Sequence, residues 1–489
     1  MRDLPLAERF KLTDAAPLLG DLRAMAPALA GLPAGEYREC ERAWAAAREF
    51  ARRELWPRAA DSEERATRRP GDIDPAFLRA VCQARLLSAS FPAPLGGRSQ
   101  GLTAAALGME EMSAACAGLA NIIGAHGLGA SGVIVSPNRA LAARVAGDVV
   151  YEEARGRAVL CAAAATEPGA GSDVEDPELL RVARIGCTAR RVPGGYRLSG
   201  RKVFISNGSL ATYVVVVAAT DPKRPADTWT SFLVEREMPG FAVGRIEHKM
   251  GQRACPAAEL VLDDVFVPDR NRLEPGEGGA AHATTLILAA SRGPVGAIGT
   301  GIARGALERL LHWAFAVSAP GRSLLDQSAF ANAVTEIVRE ITVARASYLA
   351  ATVAFDHLGV GRLRTSVVGR LMAAPGVRTV LRVPGLLEAL STPAAQERAR
   401  RGLARLMPPH ELAVLLATAS LAKVTGSDTA MAVTSRVMRL MGRDALDPRW
   451  GVEKCFRDAK LTQIYEGTNQ VNRLCAFKEG LRSMVEAAR

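Results

Sequence analysis

Residues 463–472 read Gln-Ile-Tyr-Glu-Gly-Thr-Asn-Gln-Val-Asn, and a carboxylate set between an aromatic and a glycine is the arrangement in this chain best suited to proton chemistry. Gly467 has no Cβ, so backbone can approach a ligand closely beside Glu466. A carboxylate removed from water has its pKa raised toward the operating pH, which improves its match as a general base. A glutamate in such a turn is also compatible with a plain solvated charge, so further segments have to decide.

Three segments do so. Ala165 to Asp173 reads Ala-Thr-Glu-Pro-Gly-Ala-Gly-Ser-Asp, and Tyr196 to Gly208 reads Tyr-Arg-Leu-Ser-Gly-Arg-Lys-Val-Phe-Ile-Ser-Asn-Gly. Lys249 to Asn271 contains Lys-Met-Gly-Gln-Arg and Leu-Asp-Asp-Val-Phe-Val-Pro-Asp-Arg-Asn. With Arg-Asp-Ala-Lys-Leu-Thr-Gln-Ile-Tyr-Glu-Gly-Thr-Asn-Gln they resemble, in order and separation, the acyl-CoA dehydrogenase family. The resemblance covers residues 36 to 358 and 412 to 489.

The resemblance implies FAD-dependent α,β-dehydrogenation of an acyl-CoA thioester to the 2-enoyl-CoA. Glu466 is then the α-proton base, with its own backbone N–H on the thioester carbonyl and flavin N5 as hydride acceptor. By the same resemblance Thr166 contacts the flavin ring, Phe204 and Ser206 cover one flavin face and donate to N5, and Thr468 and Gln470 touch the pyrophosphate and ribose side. Ser172 falls near the pantetheine, and Arg292, Tyr465 and Gly467 fall on the substrate side. Some members place the base just before an arginine of the C-terminal bundle, and the matching position here is Ser291, which leaves Glu466 as sole base. The competing reading of Arg292 is a surface charge at a helix start.

Two family features are altered. An Arg-x-x-Phe-Gly segment that reaches a neighbouring subunit's FAD is replaced by a stretch in which only Gln327 matches well. A Gln followed by a Gly-Gly-x-Gly turn is replaced by Arg439-Leu440-Met441-Gly442-Arg443-Asp444-Ala445. Arginines can grip a pyrophosphate by charge and forked hydrogen bonds, so Arg439 and Arg443 are expected at the cofactor. An acyl-CoA oxidase on the same fold and a degenerate, non-catalytic scaffold are the alternatives. The expected partners are an acyl-CoA, an electron-transfer flavoprotein and further copies of the chain in a homodimer or homotetramer.

The elements that must position these residues follow from periodicity. From 36 to 160 apolar residues recur every three to four positions, with Pro57 expected to end the first helix. From 158 to about 267 the period becomes that of strands, at 158–161, 213–217, 230–234 and 259–262, predicting a small antiparallel barrel or sandwich as the middle domain, 161 to 272. From 273 to 489 helical stretches return and predict a bundle, with an insertion at about 359–411 rich in arginine. The fold class is therefore α+β multidomain: an N-terminal α-helical domain, a middle antiparallel β domain and a C-terminal helical bundle. Residues 1–35 form an N-terminal extension with an amphipathic stretch of Leu18, Leu19, Leu22, Met25 and Leu29, expected to pack on the protein's own surface.

Two glycine-rich stretches invite a choice. Gly299-Thr300-Gly301-Ile302-Ala303-Arg304-Gly305 looks like a dinucleotide loop, but its spacing is Gly-x-Gly-x-x-x-Gly inside a helical pattern, so close helix packing is expected. Gly124, Gly127, Gly129 and Gly132 either leave room at the base of an acyl pocket or pack helices.

The bulk numbers bound the partners. The 489 residues carry 62 Lys and Arg against 51 Asp and Glu, a net +11 that suits an anionic partner such as a nucleotide or CoA. Aromatics at 5% without basic interleaving argue against nucleic acid. No apolar run is expected to span a membrane, and the start lacks a secretory apolar core, so a cytoplasmic location is expected. Eight scattered cysteines with no Cys-x-x-Cys pair read as inert thiols rather than metal ligands.

Overall fold

The computed structural model describes residues 29–318, 323–358, 361–365, 371, 374, 391–482 and 484. The N-terminal domain comprises α1 (Ala34–Phe50), α2 (Trp56–Arg68), α3 (Pro75–Gln83), α4 (Leu102–Val135) and α5 (Arg139–Glu153). Pro57 does not end the first helix. A π turn at Ala51–Leu55 resets the winding, and Pro57 falls in the first turn of α2, where a missing N–H costs nothing. The N-caps follow the sequence: Asp74 accepts from the Ala76 amide at 2.9 Å and Asn138 from the Leu141 amide at 3.2 Å.

The helix α4 breaks at Cys116, whose φ of −157° and ψ of 102° are extended. A break of this kind orphans carbonyls of the preceding turn. Arg309 takes them up, donating at 3.0 Å to the carbonyl of Ala114 and at 3.0 Å to that of Ala115.

Seven strands make one sheet: β1 (Cys161–Ala164), β2 (Thr188–Val192), β3 (Gly195–Ser206), β4 (Tyr213–Ala219), β5 (Trp229–Glu235), β6 (Phe241–Ile246) and β7 (Ala257–Pro268). The order is β1-β4-β2-β3-β7-β6, with β5 on the other side of β4. The middle β domain is thus present, but the sheet is mixed rather than wholly antiparallel, because β1 and β2 each pair β4 in parallel. Every residue of β4 is buried, as a strand covered on both faces must be.

The C-terminal bundle holds α6 (Ala280–Val317), α7 (Ser328–His357), α8 (Pro393–Leu406), α9 (Pro409–Met441), α10 (Val452–Thr462) and α11 (Asn469–Gly480). Glycines set its closest crossings. A Cβ on Gly296 would lie 2.6 Å from the Ala422 carbonyl and one on Gly299 would lie 2.5 Å from that of Gly426. On the other side of α6, Gly301 and Gly305 leave only 2.4 Å and 2.1 Å to the carbonyls of Glu110 and Ala114 on α4. The 299–305 stretch is a helix-packing device, as its spacing predicts.

The same reading holds for the second glycine cluster. Gly129 would meet the Ala162 amide nitrogen at 2.5 Å and Gly132 the Val215 side chain at 3.2 Å, so α4 is seated directly on β1 and β4. Gly124 faces Met109 and Gly127 faces Ser90, so none of the four opens onto empty space. The acyl-pocket reading has no support from them.

By length and composition α4 and α6 are apolar enough to cross a membrane, which the sequence reading missed; 67% and 78% of their apolar windows lie buried inside the protein, as core helices do. Leu29 is fully buried in a cluster with Tyr348 and Leu349, whereas Leu18, Leu19, Leu22 and Met25 lie outside the described residues. All eight cysteines are buried and free. In the arginine-rich stretch Arg362 bonds Glu411 at 2.6 Å, and Arg398, Arg400, Arg401 and Arg405 stand exposed on α8. Arg370, Arg378 and Arg382 lie outside the described residues.

Gly426→Ala tests the crossing. Its Cβ would sit 2.2 Å from the Gly296 carbonyl oxygen, so α6 and α9 must separate. Overpacking of this sort costs about 1–3 kcal/mol, which urea unfolding will show as a lower midpoint; an unchanged midpoint contradicts the crossing.

Candidate active site

The four sequence segments close into one bonded ring. The loop 165–173 is stitched to β3 by the buried Lys202, whose ammonium donates to the Ala165 carbonyl at 2.9 Å and to Glu167 at 2.7 Å, and by the Val203 amide donating to the Thr166 carbonyl at 3.0 Å. The end of β3 is held to the third segment by the Asn207 amide on the Pro256 carbonyl at 2.9 Å. Gln252 of that segment donates to the Asp458 carbonyl at 3.0 Å and to the Tyr465 hydroxyl at 3.2 Å. Ser172 closes the ring by accepting from the Thr468 amide at 3.0 Å. A ring spanning 296 residues of sequence holds Glu466 against the β domain.

Glu466 and Gly467 are consecutive left-handed residues, with φ of +55° and +77°, in the connection between α10 and α11. A non-glycine residue at positive φ is strained and persists only when its surroundings over-determine it. Here every carbonyl of the turn is gripped. The Asn472 amide donates to the carbonyls of Glu466, Gly467 and Thr468 at 3.1, 2.8 and 3.1 Å. Lys423 donates to the Gly467 carbonyl at 2.7 Å and Arg292 to the Glu466 carbonyl at 3.3 Å. The Glu466 amide N–H has no acceptor among the described residues and is available to a ligand carbonyl.

Arg292 is fully buried and is no surface charge. Besides the Glu466 carbonyl it donates to Ser420 at 2.9 Å, to the Cys475 sulfur at 3.4 Å and to Glu175 at 3.1 Å. The Glu466 carboxylate accepts from the Ser291 hydroxyl. Desolvation pushes the Glu466 carboxyl above its usual range, against the pull of Ser291, Arg292 and Lys423. Desolvation also pushes Glu175 up to about 7 and Lys423 down to about 7. Burial holds the Tyr465 phenol above its usual value.

Phe204 is the second strained residue. It lies where β3 slips register against β7 between Lys202 and Ile205, at φ +58°, with 61% of its surface exposed. An aromatic ring pushed outward at a backbone cost, beside Thr166 and two residues from Ser206, is suited to cover a flat apolar group.

The structure therefore brings together Glu466, Gly467, Tyr465, Thr468, Ser172 and Arg292, and joins Thr166, Phe204 and Ser206 to them through the ring. It does not bring in Gln327, exposed at the start of α7, or Arg439 and Arg443, exposed at the end of α9. Arg439 is sixteen residues along α9 from Lys423, about 24 Å at 1.5 Å per residue. Gln470 is exposed on the first turn of α11. Sequence reasoning missed Glu175, Lys423, Asn472 and the Lys202–Glu167 pair; a lysine at 423 among Ala419, Ala422 and Gly426 was the one available signal.

Comparison with known proteins agrees with this architecture. Residues 38–146 match the acyl-CoA dehydrogenase N-terminal domain, 162–265 the acyl-CoA dehydrogenase middle domain, and 277–379 with 392–480 the acyl-CoA dehydrogenase C-terminal domain. The cyclohex-1-ene-1-carbonyl-CoA dehydrogenase of Geobacter metallireducens is 31% identical over 87% of this chain and 94% of its own. The butyryl-CoA dehydrogenase structure from Megasphaera elsdenii, 23% identical, superposes with a TM-score of 0.70 over 90% of this chain and 97% of that one. An acyl-CoA dehydrogenase complexed with FAD from Bacillus anthracis, 22% identical, gives 0.71 over 94% of this chain and 69% of that one.

Fold and site define an enzyme of three domains, helical, β and helical, with a half-buried carboxylate where the β domain meets the C-terminal bundle. The chain belongs to the acyl-CoA dehydrogenase family.

Gly467→Ala tests the turn. The added Cβ would stand 2.7 Å from a Glu175 carboxylate oxygen and 2.9 Å from the Asn472 amide, at a φ that L-residues avoid. A loss of about 1–3 kcal/mol in unfolding free energy is expected. Parental stability would mean the turn is not built as described.

Proposed function

We propose that the protein is an FAD-dependent acyl-CoA dehydrogenase that converts an acyl-CoA to its 2-enoyl-CoA, with Glu466 as the α-proton base. The observation that carries this reading is the ring of hydrogen bonds that sets a desolvated Glu466 carboxylate beside a free backbone N–H. The thioester carbonyl accepts from that N–H, which favours the charge developing on its oxygen as the α proton leaves. Glu466 takes the proton on its carboxylate, for which Ser291 fixes the rotamer. Tyr465 and Gly467 flank the acyl group, and Ser172 stands on the path of the pantetheine.

The residues present fit a flavin. Phe204 offers an exposed ring where the family resemblance places the flavin face, with Thr166 and Ser206 supplying polar contacts and Thr468 and Gln470 the pyrophosphate side. FAD supplies the acceptor for the β hydrogen, leaving as hydride, which no side chain of the site can accept. Gln327, Arg439 and Arg443 are exposed and distant from Glu466, which is what a contribution to a second copy's cofactor requires; a homo-oligomer follows from this reading. An electron-transfer flavoprotein is the proposed acceptor of the electrons. The relative named for a cyclic acyl-CoA makes ring-bearing as well as chain acyl groups candidates.

The pH dependence follows in sign from the raised Glu466 carboxyl. The base works only when ionised, so the rate rises with pH through that raised pKa. Glu466→Gln should retain FAD and ligand binding while flavin reduction by acyl-CoA slows by about 10² to 10⁴, the usual worth of a positioned base. Stopped-flow absorbance measures this, and near-parental bleaching in the variant removes Glu466 from the role.

A further inference from the structure

Two carboxylates, not one, meet at the Gly467 turn. Glu175 ends the single turn Ser172–Glu175, and one of its oxygens lies 2.7 Å from where a Gly467 Cβ would be. Only glycine there lets the carboxylate cross the turn and reach Arg292 at 3.1 Å. Besides Glu175, the one carboxylate it holds among the described residues, Arg292 contacts the Glu466 carbonyl at 3.3 Å, Ser420 at 2.9 Å and Cys475 at 3.4 Å. The guanidinium thus binds the backbone of Glu466 and not its carboxylate. The carboxylate's direct partner is the Ser291 hydroxyl.

We infer that Glu175 is a positioning residue for the base: by engaging the Arg292 guanidinium it tempers the pull of that charge on the Glu466 carboxylate, while the same guanidinium still pins the strained backbone. An arginine is needed at the turn to hold the Glu466 carbonyl. Unopposed, its charge would also stabilise the ionised base and weaken it. A second carboxylate on the far side of the guanidinium resolves the conflict.

The remaining charges are accounted for. From α9, Lys423 is bound to the Gly467 carbonyl and, at 2.7 Å, to Asn469, with Asp428 one further turn along. From α11 comes the Cys475 thiol, and from α6 come Arg292 and Ser291. Tyr465 on the segment itself is engaged by Gln252, with Asp458 and Cys255 beyond it. Of the carboxylates near Glu466, only Glu175 pairs with Arg292 among the described residues. The two carboxylates are like charges, an effect seen in the upward push of Glu466 on Glu175, so an ionised Glu175 opposes ionisation of Glu466 and both effects of removing it have the same sign.

The inference rests on the dehydrogenase reading for its catalytic consequence, and the test separates the two. Glu175→Gln keeps the shape of the side chain and removes its charge. Its acid limb in kcat/KM for acyl-CoA should move to lower pH by about one unit, the scale of a nearby charge. An infrared difference titration, parent minus Glu466→Gln and Glu175→Gln minus the double variant, reads the Glu466 carboxyl without cofactor or substrate, and the same downward displacement is expected. Glu175→Asp, which keeps the charge, should titrate with the parent. Coincident midpoints in parent and Glu175→Gln overturn the inference, as does a full-unit displacement in Glu175→Asp, which carries the test if the Gln variant does not fold. A parent that no acyl-CoA reduces overturns the dehydrogenase reading instead and leaves the infrared result to decide Glu175.

Discussion

A guanidinium taken wholly out of water is tolerated only when its donors are met and its charge is opposed, and the arrangement around Arg292 shows what that requirement organises. Its partners come from the Ser172–Glu175 turn, from α9 through Ser420, from α11 through Cys475 and from the backbone of Glu466. Each of these elements must be in place before the charge is satisfied. Breaking such an assembly by removing one partner costs about 3–5 kcal/mol, so the site and the junction of the bundle with the β domain stand or fall together. The left-handed Glu466 is held in this frame, with Asn472 and Lys423 gripping the carbonyls that a relaxed turn would turn elsewhere.

That junction needs helices closer together than ordinary side chains allow. The glycines of α6 face α9 on one side and α4 on the other, so a single helix carries both the bundle and the seam with the N-terminal domain. The helix α4 in turn rests on β1 and β4 through Gly129 and Gly132. Packing at this separation is why α4 and α6 carry long apolar windows that resemble membrane spans in composition alone. The electrostatic content of the same seam is high: Glu110 accepts from Arg345 at 3.0 Å and from Tyr348 at 2.6 Å, and Arg304 bonds Glu308 at 3.0 Å. Buried charges at a helix crossing are costly unless paired, and here each has an opposite.

Much of this was legible in the residues, for identifiable reasons. Glu466, Gly467, Ser172 and Thr166 lie in motifs whose glycines and prolines mark special backbone, and those marks survive in one dimension. The helix-packing role of the 299–305 stretch was legible because its spacing and context fit no phosphate loop. Glu175 was not, since a charged residue announces nothing about burial until the partner elements are brought to it, and Lys423 left only the trace of the small residues around it. Pro57 was misread because a π turn can shift the phase of a helix so that proline falls where it is tolerated. The mixed sheet escaped for a similar reason: the parallel pairing of β1 and β2 with β4 depends on crossovers that local periodicity does not encode. The hairpin of β2 and β3 had a signal that went unused, a Pro193-Gly194 turn with Gly194 at φ +77°.

The proposed chemistry depends on a flavin and an acyl thioester meeting at Glu466. The most direct measurement is the visible absorption spectrum of the purified protein, followed by anaerobic titration with straight-chain, branched and cyclic acyl-CoAs. A flavin spectrum that bleaches with at least one of them, yielding the 2-enoyl-CoA, is the predicted result. A protein that takes up no FAD on reconstitution, or whose flavin stays oxidised with every acyl-CoA, would contradict it.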